Sequence, residues 1–95
     1  MHARVTRFEG SAQQADAGIK MIKEQIIPAA KKMGGFKAGY WLLDRAGGKG
    51  LAITLFESEA AMKASERDAE QSRAQAAAQG FRIAGIERYE VVAEA

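Results

Sequence analysis

The chain of 95 residues contains no cysteine and no asparagine, with one proline, one histidine and one tryptophan. Without cysteine there is neither a disulfide framework nor a thiolate nucleophile, and the absence of thiols suits a reducing compartment. The single histidine, His2, leaves no HxxxH pair and no His/Cys cluster at metal-ligand spacing, so no bound metal is expected. No apolar run approaches the roughly 20 residues that a bilayer demands. Met1-His2-Ala3-Arg4 leads straight into a strand pattern, without the apolar stretch of a secretory leader. Formal net charge is only +2, and basic residues alternate with acidic ones without forming blocks, which argues against a nucleic-acid-binding face. The expectation is one soluble, cytoplasmic domain over residues 1–95, since a single core typically takes roughly 100–200 residues. So small a core gains from a partner subunit.

What is present is a legible order of elements. Ala3 to Glu9 is short, β-rich and bounded by Gly10-Ser11, which predicts a strand in which Val5 points one way and Thr6 and Phe8 the other. Ser11 is placed to cap a helix from about Ala12. Along it Ala15, Ile19, Ile22, Ile26, Ala29 or Ala30 and Met33 recur at spacings of three and four, with lysines opposite. Pro28 interrupts this stripe, removing a donor and crowding the Glu24 carbonyl, so a kinked helix is expected to continue to Met33 and stop at Gly34-Gly35. Phe36–Asp44 and Leu51–Glu57 flank a stretch holding Gly47, Gly48 and Gly50, a hairpin signal. These glycines precede no Lys-Ser or Lys-Thr opening a helix, so they form no phosphate loop.

Ser58 then caps a second helix whose inward stripe is small and partly polar: Met62, Ser65, Ala69, Ser72 and Ala76. In an alternative rotation Ala61, Ala64, Ala69 and Ala76 pack inward and the polar residues face water. Arg82 to Val92 forms the last strand, with Gly85 at a candidate bulge. The order β-α-β-β-α-β gives an α+β, ferredoxin-like architecture: a four-stranded antiparallel sheet with both helices on one face. With Gly47 at the hairpin's centre, Trp41 and Leu43 share the bare face with Leu51, Ile53 and Leu55, while Tyr40 joins Thr54 and Phe56 beneath the helices. A bare face of Trp, Leu and Ile is too apolar to stand in water, so these five residues are expected at a two-fold dimer interface.

With Pro28 and Gly34-Gly35-Phe36, the Leu43-Asp44-Arg45-Ala46-Gly47-Gly48 turn and the step Leu55-Phe56-Glu57-Ser58-Glu59, the chain resembles the dimeric α+β barrel superfamily, particularly the antibiotic biosynthesis monooxygenase-like domains. The resemblance implies a two-fold dimer with a ligand pocket between sheet and helices. In its haem-degrading branch an Asn, a Trp and a His fall at Thr6, Ser65 and Gln75 here. In its cofactor-independent monooxygenases an Asn, a Trp, a Tyr and an Arg fall at Ala52, Phe56, Met62 and about Ala76. Neither set is retained, so the resemblance carries the fold and not the chemistry.

The candidate ligand-binding residues are Thr6 and Phe8 on the first strand, Tyr40, Thr54 and Phe56 on the hairpin, and Met62, Ser65 and Gln75 on the second helix. Hydroxyls and an amide turned toward a sheet need water or a ligand to satisfy them. Together these residues point to a homodimer binding a small apolar or aromatic molecule, with no cofactor and no recognisable catalytic group. Two other readings follow from the same residues. One is a cofactor-independent monooxygenase or isomerase in which Tyr40, Ser65 or Gln75 stabilises a phenolic or quinone-like oxyanion. The other is a structural dimerisation module.

Overall fold

In the computed structural model, which describes residues 1–95, the chain folds as β1 (His2–Glu9), a 3-10 turn (Ala12–Gln14) and helix α1 (Ala15–Met21). A π-helical turn (Ile22–Ile26) joins α1 to α2 (Ile27–Lys31). Strands β2 (Phe36–Asp44) and β3 (Lys49–Phe56), helices α3 (Glu59–Ala64) and α4 (Glu66–Ala78), and β4 (Arg82–Glu90) complete it. The strands form one antiparallel sheet in the order β2-β3-β1-β4, and the helices lie on one of its faces, the ferredoxin-like arrangement expected from the sequence. No helix is long and apolar enough to cross a membrane.

Pro28 explains the first helix. Lacking an N–H, it cannot bond back to Glu24, and its ring crowds that carbonyl. The backbone answers with one wide turn: the Ile27 N–H donates to the Ile22 carbonyl, five residues back. The expected kink is therefore a π-turn that widens the helix where Ile22 and Ile26 face the sheet. Regular helix ends at Lys31, two residues short of expectation, and Met33 closes the tighter last turn through its N–H to the Ala30 carbonyl at 3.0 Å. Gly35, at φ 76°, then reverses the chain into β2.

The second helix is two helices. Ser65 bends it: its hydroxyl donates to the Met62 carbonyl at 2.7 Å, a back-bond that competes with the helical ladder. Of the two rotations the sequence left open, the helix takes the one with Met62, Ser65 and Ala69 buried and Ser72 and Ala76 half-buried, and Ala64 is exposed. At the start of α3 the Ser58 hydroxyl accepts the Ala61 N–H at 3.1 Å. Ser58→Ala is expected to lower stability by about 1 kcal/mol in urea titration, and Ser58→Gly by only a few tenths.

The hairpin corrects the assignment of faces. Its loop is Arg45–Gly48, closed by the pair Asp44↔Lys49, so its centre falls between Ala46 and Gly47 and not on Gly47. The Asp44 carboxylate accepts the Gly47 N–H at 3.0 Å, and Gly48 takes φ 65°, which together favour the even-numbered loop. A shift of one residue exchanges the two faces of β2. Tyr40 pairs with Ile53 and Leu42 with Leu51 on the bare face, while Trp41 pairs with Ala52 and Leu43 with Gly50 on the helix side. Trp41 and Leu43 are thus not on the bare face, and Tyr40 is not beneath the helices. Leu51, Ile53 and Leu55 lie where the sequence placed them, beside Val5, with Tyr40 59% and Tyr89 52% exposed. In β4 the irregularity falls at Ala84, between Ile83 and Gly85 opposite Phe8 and Arg7, one residue before the glycine expected to mark it.

Beneath the helices the core divides. Met33, Phe56, Met62 and Ala69 form one cluster, with Phe36 edge-on to Phe56 at 6.0 Å between centroids. Met21, Ile26 and Phe81 form the other, with Phe8 perpendicular to Phe81 at 6.0 Å. Phe81 fits because Gly18 offers it bare backbone: a Cβ there would stand 2.5 Å from the ring.

Candidate functional site

The gap between the two clusters is the candidate site. It is a cavity of about 100 Å³, open on one side, with a mostly apolar wall that includes Met33 and Ala69 from one cluster and Met21, Ile26 and Phe81 from the other. Strand β1 contributes Arg4, Thr6 and Phe8 at alternate positions, and β2 and β3 contribute Trp41, Ala52 and Thr54. Helix α4 contributes Ala69, Ser72, Arg73 and Ala76, and the short side chains of Ala69, Ser72 and Ala76 leave the space before them unfilled. A groove of about 300 Å³ between α1 and β2 shares Phe8, Gly18, Ile22, Trp41 and Phe81 with the cavity, so Trp41 stands between the two spaces.

The predicted ligand-binding residues divide accordingly. Thr6, Phe8 and Thr54 line the cavity. Phe56 and Met62 are buried in the core cluster behind it. Ser65 is buried, but its hydroxyl is engaged: it accepts from Arg4 Nη2 at 2.6 Å while donating to the Met62 carbonyl. Gln75 is exposed, one position before Ala76 of the inward stripe, and Tyr40 lies on the opposite face of the sheet, where it lines only the adjoining groove. Trp41, expected at the bare face, lines the cavity instead. Leu43 lines the adjoining groove with Phe8 and Phe81 and not the cavity. His2 is largely covered, with Nε2 at 3.5 Å from Glu59 and Nδ1 buried without a partner.

Four charged residues at the site were not singled out from the sequence. Arg4 is only 3% exposed. Its Nη2 donates to the Met62 carbonyl at 2.9 Å as well as to Ser65, its Nε donates to Glu66 at 3.2 Å, and its guanidinium lies 5.2 Å over the Phe56 ring. Glu66, in the first turn of α4, also receives Arg88 in a two-pronged pair at 2.8 and 3.0 Å, and Arg73 Nη2 approaches it to 3.9 Å. The hydrogen bond from Arg88 is the main reason the Glu66 carboxyl is held below the usual carboxylate range, with Arg4 adding to it. Burial pulls the Arg4 guanidinium below its ordinary value, against the opposing pull of Glu66. The signal for Arg4 was present: period-two alternation puts it on the same face as Thr6 and Phe8. No three His, Cys, Asp or Glu side chains come together in a set that could hold a metal ion.

The same architecture occurs in solved structures. A Deinococcus radiodurans protein provisionally named an antibiotic biosynthesis monooxygenase superposes with a TM-score of 0.76 at 19% identity, over 100% of this chain and 95% of that one. HapK from Hahella chejuensis matches at TM-score 0.76 and 12% identity, over 100% and 96%. The heme-degrader MhuD of Mycobacterium tuberculosis, in a structure with two hemes in its active site, matches at TM-score 0.70 and 20% identity, over 100% and 99%. No protein-family model matches the sequence, and no curated protein does. The chain thus has the fold of the antibiotic biosynthesis monooxygenase-like proteins, the one the sequence resembled.

Proposed function

We propose that the chain is a homodimeric small-molecule-binding protein that holds a mostly apolar ligand in the cavity of each subunit. The observation that carries this reading is the divided core: two apolar clusters flank an open space that ordinary packing would have closed. At about 100 Å³ the space is somewhat smaller than the ~150 Å³ void that lodges a benzene ring. It therefore suits a short hydrocarbon body, or a single ring that reaches past Trp41 into the adjoining groove, and not a tetrapyrrole. Thr6, Thr54 and Ser72 supply hydroxyls to orient the ligand. The dimer is supported by the uncovered sheet face that Tyr40, Leu42, Leu51, Ile53 and Leu55 make apolar. The reducing cytoplasm suits a chain without thiols.

The competing reading as a cofactor-independent monooxygenase or isomerase asks Tyr40, Ser65 or Gln75 to donate to a substrate oxyanion. Gln75 is exposed and the Ser65 hydroxyl is already engaged; Tyr40 lies outside the cavity, at the adjoining groove, and alone supplies no base beside it, so the geometry favours binding.

Trp41 is the sole tryptophan and borders the cavity, so its emission reports occupancy without a label. Titration with a panel of small phenols and quinones is expected to give a saturable change in Trp41 fluorescence and a rise in Tm. Both should be lost in Ala52→Leu, which fills the space beside Trp41. A panel in which no member shifts either signal would count against the proposal.

A further inference from the structure

We infer that the ligand of this cavity is an anion, a small apolar carboxylate whose charged end is received by Arg73; the inference rests on the binding reading above. Arg73 lines the cavity from α4, its Nη1 is buried without a hydrogen-bond partner, and the nearest acidic oxygen, on Glu66, is 3.9 Å from Nη2. A buried, unpartnered guanidinium donor costs free energy unless something arrives to accept from it.

The neighbouring charges are not balanced either. Arg4, Arg73 and Arg88 surround the single carboxylate of Glu66, three positive charges against one negative, and Arg73 is near enough to Arg4 for the two like charges to oppose each other. Glu66 is already committed to Arg4 and Arg88 by hydrogen bonds. Arg73 makes no hydrogen bond of its own, so Nη1 is uncommitted, and a guanidinium fork of this kind donates to the two oxygens of a carboxylate in parallel. The rest of the wall is apolar and suits a hydrocarbon body. An incoming carboxylate would satisfy the orphaned donor and relieve the repulsion between Arg73 and Arg4 at once. A neutral ligand of the same shape would do neither.

The test compares benzoate with benzyl alcohol, a neutral molecule of similar size, by calorimetry and Trp41 emission. Benzoate is expected to bind at least about tenfold more tightly than the alcohol, the range of a charge-assisted hydrogen bond. Arg73→Gln should bring benzoate down to the affinity of benzyl alcohol measured on the same variant, and Arg73→Lys should restore part of the preference. Arg67→Gln, at an exposed position of the same helix, should change neither. Equal affinity for the two probes, or a benzoate preference that survives Arg73→Gln, overturns the anion inference and leaves the binding proposal intact. Binding of neither probe, to wild type or variant, overturns both.

Discussion

If the chain dimerises through its bare sheet face as proposed, Ile53→Lys is expected to leave it monomeric in sedimentation where the wild type sediments as a dimer, with its far-ultraviolet spectrum retained. Ile53 stands at the middle of the bare face, between Val5 of β1 and Tyr40 of β2. In a lone subunit a lysine there reaches water. In a dimer closed face to face, the same ammonium is trapped against apolar side chains with no counter-charge. An unpaired buried charge costs on the order of 3–5 kcal/mol, about a hundred- to several-thousandfold in dimer affinity. Leu43→Lys is the matched control, because the hairpin register puts Leu43 on the helix side. It should leave the dimer intact, and Leu42→Lys should weaken it. Dimers unaffected by Ile53→Lys would mean that the subunits join through another surface.

The pairing of those two leucines also marks how far the sequence could be read. The order of elements was legible because each rests on local chemistry: Ser58 as a cap, Gly34-Gly35 as a stop, three glycines in a hairpin, stripes at spacings of three and four. The rotation of the second helix was left between two choices, because its alanines made either face acceptable. The faces of β2 were not legible, because they depend on whether the loop holds an odd or an even number of residues. Glycine-rich loops permit both, and the Asp44 side-chain bond to Gly47 that favours one is visible only once the chain is folded. The error passed directly into the site: it exchanged Tyr40 for Trp41. The charged group was missed for a different reason. Arg4, Glu66, Arg73 and Arg88 come from two strands and a helix, and Arg4 and Glu66 are 62 positions apart. Arginine in a strand and glutamate at a helix start each have an ordinary local explanation, so only the fold reveals that they meet beside a cavity.

That meeting sets the second large effect. Arg4→Met keeps much of the apolar stem but removes the guanidinium that ties β1 to the α3–α4 junction through Met62, Ser65 and Glu66. Removing one partner of a buried ion pair costs about 3–5 kcal/mol when the other is stranded. Glu66 is not stranded, because Arg88 still holds it and 29% of its side chain is exposed, so a loss of about 2–3 kcal/mol is expected. Glu66→Gln should be felt differently as pH changes. The folded-state pKa of Glu66 lies below its ordinary value, chiefly through Arg88, so the folded chain binds this proton less readily than the unfolded one. The resulting stabilisation is fully present above the usual carboxylate range and is lost as pH falls through the lowered pKa. Urea titrations at about pH 7 should therefore separate wild type from Glu66→Gln clearly, and the gap should narrow steadily as pH falls below the usual carboxylate range and through the lowered pKa of Glu66. A gap that stays constant over that interval would show that Glu66 acts by packing and not by charge.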